Sequence, residues 1–223
     1  NREGERKPGG GYVYNKWDDG KEDELLIYEF IGYDWFTDAG MSATLFAEEL
    51  SRVANVDRLT IKINSPGGDV WDGMSIYNQL LGFGPDVRVV VDGVAASAAS
   101  LIAMAGDTVE AYETSQLMIH DAWTVALGNE QDLRETADVL AKIDGQLAAV
   151  YAGKSGKIEE DAFRDIMDSD SYLTATEAME MGLIDGIISP PKRNEEPKDT
   201  APGTPKARYA RRRMGLQAMR TNL

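Results

Sequence analysis

An α/β domain over about residues 23 to 190 is predicted by three observations along this 223-residue chain. Strand and helix signals alternate, the pattern that builds a sheet covered by helices. The clearest strand signal is Leu59-Thr60-Ile61-Lys62-Ile63, apolar at every second position. The longest helical pattern runs from residue 129 to 152, where Leu133, Ala137, Leu140, Asp144, Leu147 and Tyr151 share one seam.

The elements follow in order. Residues 1 to 22 contain Pro8-Gly9-Gly10-Gly11 and Asp18-Asp19-Gly20 and read as a flexible arm. The chain opens on Asn1 with no apolar stretch behind it, so it reads as a trimmed or processed start without a signal peptide. Leu25 to Ile31 has strand character. Ser42 is placed to cap a helix whose apolar face is Leu45, Phe46, Leu50 and Val53. After the strand at 59 to 63, Ser65-Pro66-Gly67-Gly68 forms a break. A helix follows with Met74, Tyr77, Leu80 and Leu81 on one face. Val87 to Val91 reads as a buried strand ended by Gly93, with a small-residue helix starting close to Ser97. Thr108 to Tyr112 and Leu117 to His120 read as short strands. In the long helix Asp144 interrupts the seam and Gly145 lowers helix propensity. A short helix covers 158 to 167. Thr174-Ala175-Thr176-Glu177 is a capping box, Gly182 marks that helix's stop, and Leu183 to Ile188 is the last strand.

Charge separates the domain from its tail. The net charge is −15, yet residues 192 to 223 carry +6, leaving −21 on the rest. An acidic body argues against nucleic acid as the main partner, because phosphates need a basic face. Residues 191 to 223 hold Arg211-Arg212-Arg213 among Pro197, Pro202 and Pro205 and read as a largely flexible basic tail. A docking arm for an acidic partner or a nucleic acid is the sharper reading of the same segment. No apolar run approaches 18 residues, so no membrane span is expected. The absence of cysteine excludes disulfides and thiol catalysis and fits a cytoplasmic protein.

Three features carry chemistry. In Gly93-Val94-Ala95-Ala96-Ser97-Ala98-Ala99-Ser100, a serine sits at a strand-to-helix turn flanked by small residues. Such a turn projects the hydroxyl, and the helix start offers free N–H groups to a developing oxyanion. His120 is the single histidine and closes the run Leu117-Met118-Ile119. Any neutral-pH Ser–His mechanism in this chain must use it. Asn64-Ser65-Pro66-Gly67-Gly68-Asp69 places a Gly-Gly pair after a strand, where a backbone can approach a ligand. Each also has a plain structural reading: a packed helix start, a hydrogen-bonded core histidine, an ordinary turn. No Gly-Lys-Ser/Thr follows the glycines, so this is not a phosphate loop.

Together the three features resemble the Clp proteolytic subunit family, which has Asn-Ser-Pro-Gly-Gly, then Gly-x-Ala-Ala-Ser, then Met-Ile-His. Here those are Asn64 to Gly68, Gly93 to Ser97 and Met118 to His120, and Gly73-Met74-Ser75-Ile76-Tyr77 also looks like the family. The likeness runs from about residue 59 to 188. It implies a ClpP/crotonase-like spiral of repeated β-β-α units, a single domain with the long helix as handle. It implies a serine endopeptidase with Ser97 as nucleophile, His120 as general base and Asp170 as third triad member. Asp170-Ser171-Tyr172-Leu173-Thr174-Ala175 matches the family's segment there, with Asp168 as fallback. The Gly68 and Ala98 N–H groups would form the oxyanion hole, with no cofactor and no metal.

The resemblance further implies a polypeptide substrate, a ring-shaped homo-oligomer and an ATPase unfoldase partner. Ser171 stands where the family commonly has an Arg that contributes to contacts between stacked rings, which puts a double ring in doubt. Ser-Pro-Gly-Gly-Asp-Val and the run Ser97-Ala98-Ala99-Ser100 look more like ClpP-related proteases of phages and prophages, and the Arg-rich tail is foreign to the housekeeping subunit. Those act in capsid (prohead) maturation, which would add a capsid or scaffold protein as partner and the host cytoplasm or prohead as location. Three other readings stay open. One is the housekeeping Clp subunit. A crotonase-type acyl-CoA enzyme would need neither Ser97 nor His120. A catalytically silent scaffold would keep the assembly and lose the chemistry.

Overall fold

Isoleucine and valine alternation sets the centre of a mainly parallel sheet. The computed structural model describes residues 15–16, 21–34, 39–53 and 56–189. The basic tail and most of the expected arm lie outside these residues. The strands are β1 (Asn15–Lys16), β2 (Glu22–Ile27), β3 (Arg58–Ser65), β4 (Asp86–Ala96), β5 (Thr108–Tyr112), β6 (Gln116–Ile119), β7 (Ser171–Thr174) and β8 (Gly186–Ile188). The helices are α1 (Ala43–Arg52), α2 (Val70–Leu81), α3 (Ala98–Ala103), α4 (Glu130–Ser155), α5 (Glu160–Asp168) and α6 (Ala175–Glu180). The sheet order is β1-β2-β3-β4-β5-β8, with β6 pairing β4 and β7. Among the described strands, β1–β2 and β6–β7 are the antiparallel pairs. The described residues thus form a single α/β domain with a mainly parallel sheet and helices, as the strand and helix alternation predicts.

Alternate residues of a strand share one face, so a strand that lays one face on the core is apolar at every second position. Leu59, Ile61, Ile63, Val87, Val89 and Val91 are all buried and form the middle of one core. Ser42 caps α1, its hydroxyl accepting from the Leu45 N–H at 3.2 Å. The capping box at Thr174 and Glu177 is present at the start of α6. Among the described residues no helix is long and apolar enough to cross a membrane.

Several expectations are corrected. Asn15 and Lys16, inside the expected arm, pair with Glu24 and Asp23 and extend the sheet. On α2 the buried positions are Gly73, Ile76 and Leu80, while Leu81 is exposed. Gly93 does not end its strand: β4 continues to Ala96. The seam of α4 is buried only in its second half, at Ile143, Leu147, Ala148 and Tyr151, and Leu133 is 46% exposed. Asp144 stays in the seam because its carboxylate accepts the Ala122 N–H at 2.7 Å. A Cβ at residue 145 would lie 2.5 Å from the Arg164 guanidinium, the flexible end of a half-exposed side chain that can move aside. β7, directly after Asp170, was not anticipated.

The course of β4 opens the site. Through Val91 it pairs with β5, and from Val94 it pairs with β6. The fork falls at Gly93, where a Cβ would strike the Asn64 side chain at 2.4 Å. Asn64 Oδ1 in turn accepts the Val94 N–H at 3.2 Å. Diverging strands leave a crevice at their carboxyl ends, the usual ligand position in parallel sheets.

Candidate active site

Ser97 follows the last residue of β4 and precedes α3, with φ 53° and ψ −127°. A non-glycine residue there is strained by about 1–3 kcal/mol, and such strain persists only when the surroundings hold it. The Ser97 N–H donates to the Met118 carbonyl at 2.9 Å, tying the turn to β6. That tie brings His120, one residue beyond β6, alongside the serine. His120 Nε2 and Ser97 Oγ lie 2.7 Å apart.

Antiparallel register brings in the carboxylate. β6 and β7 pair Ile119 with Ser171, so the next rung outward matches His120 with Asp170. Asp170 Oδ1 is 3.5 Å from His120 Nδ1. This is longer than a good hydrogen bond. The Asp170 side chain is 75% exposed against 14% for His120. Asp170 also has a positive φ of 46°, part of the turn between α5 and β7. Asp168 instead lies near Asp121, whose carboxyl it helps to push up.

The glycine loop completes the site. Gly67 has φ +89°, and a Cβ there would meet Ala96 O at 2.4 Å and Ser97 Cβ at 2.7 Å. Gly68 has φ +151°, and a Cβ there would lie 2.1 Å from Ile31 O. Ile31 takes the Gly67 carbonyl through its N–H and the Asp69 N–H through its carbonyl, both at 2.8 Å. The Gly68 N–H between them therefore points the other way. The Ala98 N–H, at the first position of α3, has no intrahelical acceptor. Neither N–H donates to a backbone carbonyl among the described residues.

A cleft of ≈ 710 Å³ runs past Ser97 and His120. Its wall includes Trp71 and Met118 at one part and Val139, Ile143 and Leu147 of α4 at another. Sequence reasoning missed two groups here. Ser100 and Tyr151 form a buried hydroxyl pair behind Ser97, at 2.8 Å. The second group is Asp121, whose only sequence signal was its place beside His120. Burial raises its carboxyl pKa, the charges of Asp144 and Asp168 raise it further, and His120 and Arg164 oppose the shift.

A raised carboxyl pKa means that the ionised form costs stability in the folded state, so the penalty is present at neutral pH and fades as pH falls into the carboxylate range. Asp121→Asn should therefore raise Tm at pH 7.5, with a gain that shrinks on acidification. Solvent screening limits the gain to less than about 1 kcal/mol. Thermal unfolding of both proteins across pH checks it.

A strained serine beside an imidazole, a carboxylate next to that imidazole, and N–H groups without a backbone acceptor near the hydroxyl form an arrangement that serine hydrolases also use. The chain belongs to the Clp protease family, whose model matches residues 34–191. It is 36% identical over 132 residues to the ATP-dependent Clp protease proteolytic subunit of Bacteroides fragilis, covering 58% of this chain and 63% of that protein. A second strain's protein matches at 36%, with 60% of its length covered. The Porphyromonas gingivalis protein of that name matches at 35% over 132 residues, covering 58% of this chain and 59% of its own length. The chain thus spans about three-fifths of the length of the curated relatives it matches.

Proposed function

We propose that this chain is a serine endopeptidase that cleaves polypeptides through an acyl-enzyme formed on Ser97. The observation that carries the reading is the 2.7 Å contact between Ser97 Oγ and His120 Nε2 at a strained strand-to-helix turn. Neutral His120 takes the hydroxyl proton as Ser97 attacks the peptide carbonyl. The oxyanion that forms accepts from the Gly68 and Ala98 N–H groups. His120 then gives the proton to the leaving amine, and water repeats the sequence to release the acyl group. The apolar wall from Met118 to Leu147 suits an apolar substrate side chain. A crotonase-type reaction or a silent scaffold has no need of the Ser97–His120 contact.

Asp170 orients the His120 ring in this proposal. Its exposure and its 3.5 Å distance make it a weaker partner than a buried triad aspartate. Asp170→Asn should lower kcat by about 10- to 100-fold, short of the roughly 10⁴-fold typical of a buried one. Asp168→Asn should keep kcat within about threefold, since it does not touch the imidazole. Steady-state peptide hydrolysis by the two variants separates the candidates.

Leu133 of α4, an exposed apolar residue outside the cleft wall, supports a homo-oligomeric ring as the working form. An ATPase partner fits the names of the relatives. The phage head-maturation role is the finer part of the proposal and rests on the basic tail.

One experiment tests the core of the reading. A fluorophosphonate probe should add one label per wild-type chain by intact mass and none to Ser97→Ala. An unlabelled wild type, in an assembled state by size exclusion, overturns the peptidase reading. The same spectra read the maturation role: tail removal in the wild type and not in Ser97→Ala supports it, and a tail kept in both counts against it.

A further inference from the structure

Two buried hydroxyls behind Ser97 take no part in the chemistry above. Ser100 lies on α3 and is 0% exposed, and Tyr151 lies on α4 and is 2% exposed. Ser100 Oγ donates to the Ser97 carbonyl at 2.6 Å and sits 2.8 Å from the Tyr151 hydroxyl. A serine hydroxyl has one proton, and a carbonyl can only accept. The Ser100 proton is therefore committed to Ser97, and Tyr151 must be the donor to Ser100. Burial pushes the Tyr151 phenol up to about 12, so it keeps that proton throughout the neutral range.

The acceptor at the end of this chain belongs to a peptide that matters. The Ser97 carbonyl and the Ala98 N–H share one planar trans peptide and point in opposite directions. A carbonyl held from the buried side turns the N–H of the same peptide toward the cleft. We propose that Tyr151 and Ser100 are positioning residues that fix the Ser97–Ala98 peptide plane and so aim the Ala98 N–H at the oxyanion. The role deepens the serine peptidase reading and rests on it. The relay also holds the strained φ and ψ of Ser97, which the turn's own sequence does not favour.

The carbonyl also accepts the Ser100 backbone N–H at 2.9 Å, so losing the relay loosens the peptide without releasing it. Tyr151→Phe keeps the ring that packs on Phe163 at 5.9 Å between centroids. Tyr151→Phe and Ser100→Ala should each lower kcat by about 5- to 50-fold with KM unchanged, less than deleting an oxyanion donor outright. The double variant should be no worse than Ser100→Ala, because Tyr151 acts only through Ser100.

A readout without turnover accompanies this. Only Ala43 and Ala98 follow a serine, so ¹³C′-serine and ¹⁵N-alanine labelling selects two amide resonances. The Ala98 amide should shift in both single variants while Ala43 stays in place. Wild-type kcat and an unmoved Ala98 resonance in Tyr151→Phe would overturn the relay, as would losses that multiply in the double variant. A wild type that neither labels nor turns over counts against the peptidase reading instead. The Ala98 resonance still decides whether the relay sets the peptide.

Discussion

Alanine at Ser97 or at His120 is expected to lower kcat for peptide hydrolysis by about 10⁶-fold, some 8 kcal/mol of transition-state stabilisation. Either change removes one end of the 2.7 Å contact. Ser97→Ala leaves no nucleophile. His120→Ala leaves a hydroxyl that no base deprotonates, and no second histidine exists in the chain to substitute. The two losses should not multiply: the double variant should match either single one, because nucleophile and base act as a unit. Neither side chain belongs to the core, so Tm should change little. Kinetics on a fluorogenic peptide beside thermal unfolding check both points. Activity above background in His120→Ala at neutral pH would remove the Ser–His mechanism.

The second large effect lies in the backbone. Gly68→Ala is expected to lower kcat by about 10²- to 10³-fold, the scale of losing one oxyanion donor. The new Cβ would lie 2.1 Å from the Ile31 carbonyl, a distance no carbon can hold. Relief requires opening the bridge in which Ile31 holds both Gly67 and Asp69. The loop then swings, and the Gly68 N–H leaves the line toward the serine. The positive φ adds about 1–3 kcal/mol of strain. A fall in Tm should therefore accompany the fall in kcat, unlike the outcome at Ser97. Unchanged kcat in a stably folded Gly68→Ala would take Gly68 out of the oxyanion hole and leave Ala98 as the donor.

Much of the fold was legible locally. The β3 alternation, the Ser42 and Thr174 caps and the α/β alternation all depend on residues within a turn or two of one another. The candidate site was legible for a different reason: it is built from turns. Ser97, His120 and the glycine pair all stand where a strand ends, and strand ends are marked by small residues, Pro or Gly. Their spacing resembled one family, and that family likeness supplied Asp170, which no local pattern singled out.

What the chain determined by itself is a set of short-range choices: strand period, helix starts, the small residues around Ser97 and the single histidine. Tertiary structure decided which of them meet. The rung joining Ile119 to Ser171 sets His120 against Asp170 across fifty residues, and β7, which makes that rung, has no strong signal of its own. The fork of β4 at Gly93 was read as a strand end because a change of neighbour leaves no trace in the strand's own residues. Tyr151 looked like one more apolar seam position until its hydroxyl met Ser100 from another helix. Local conformation follows from interactions along the chain, whereas register and buried polar pairing arise between segments that only the folded core brings together.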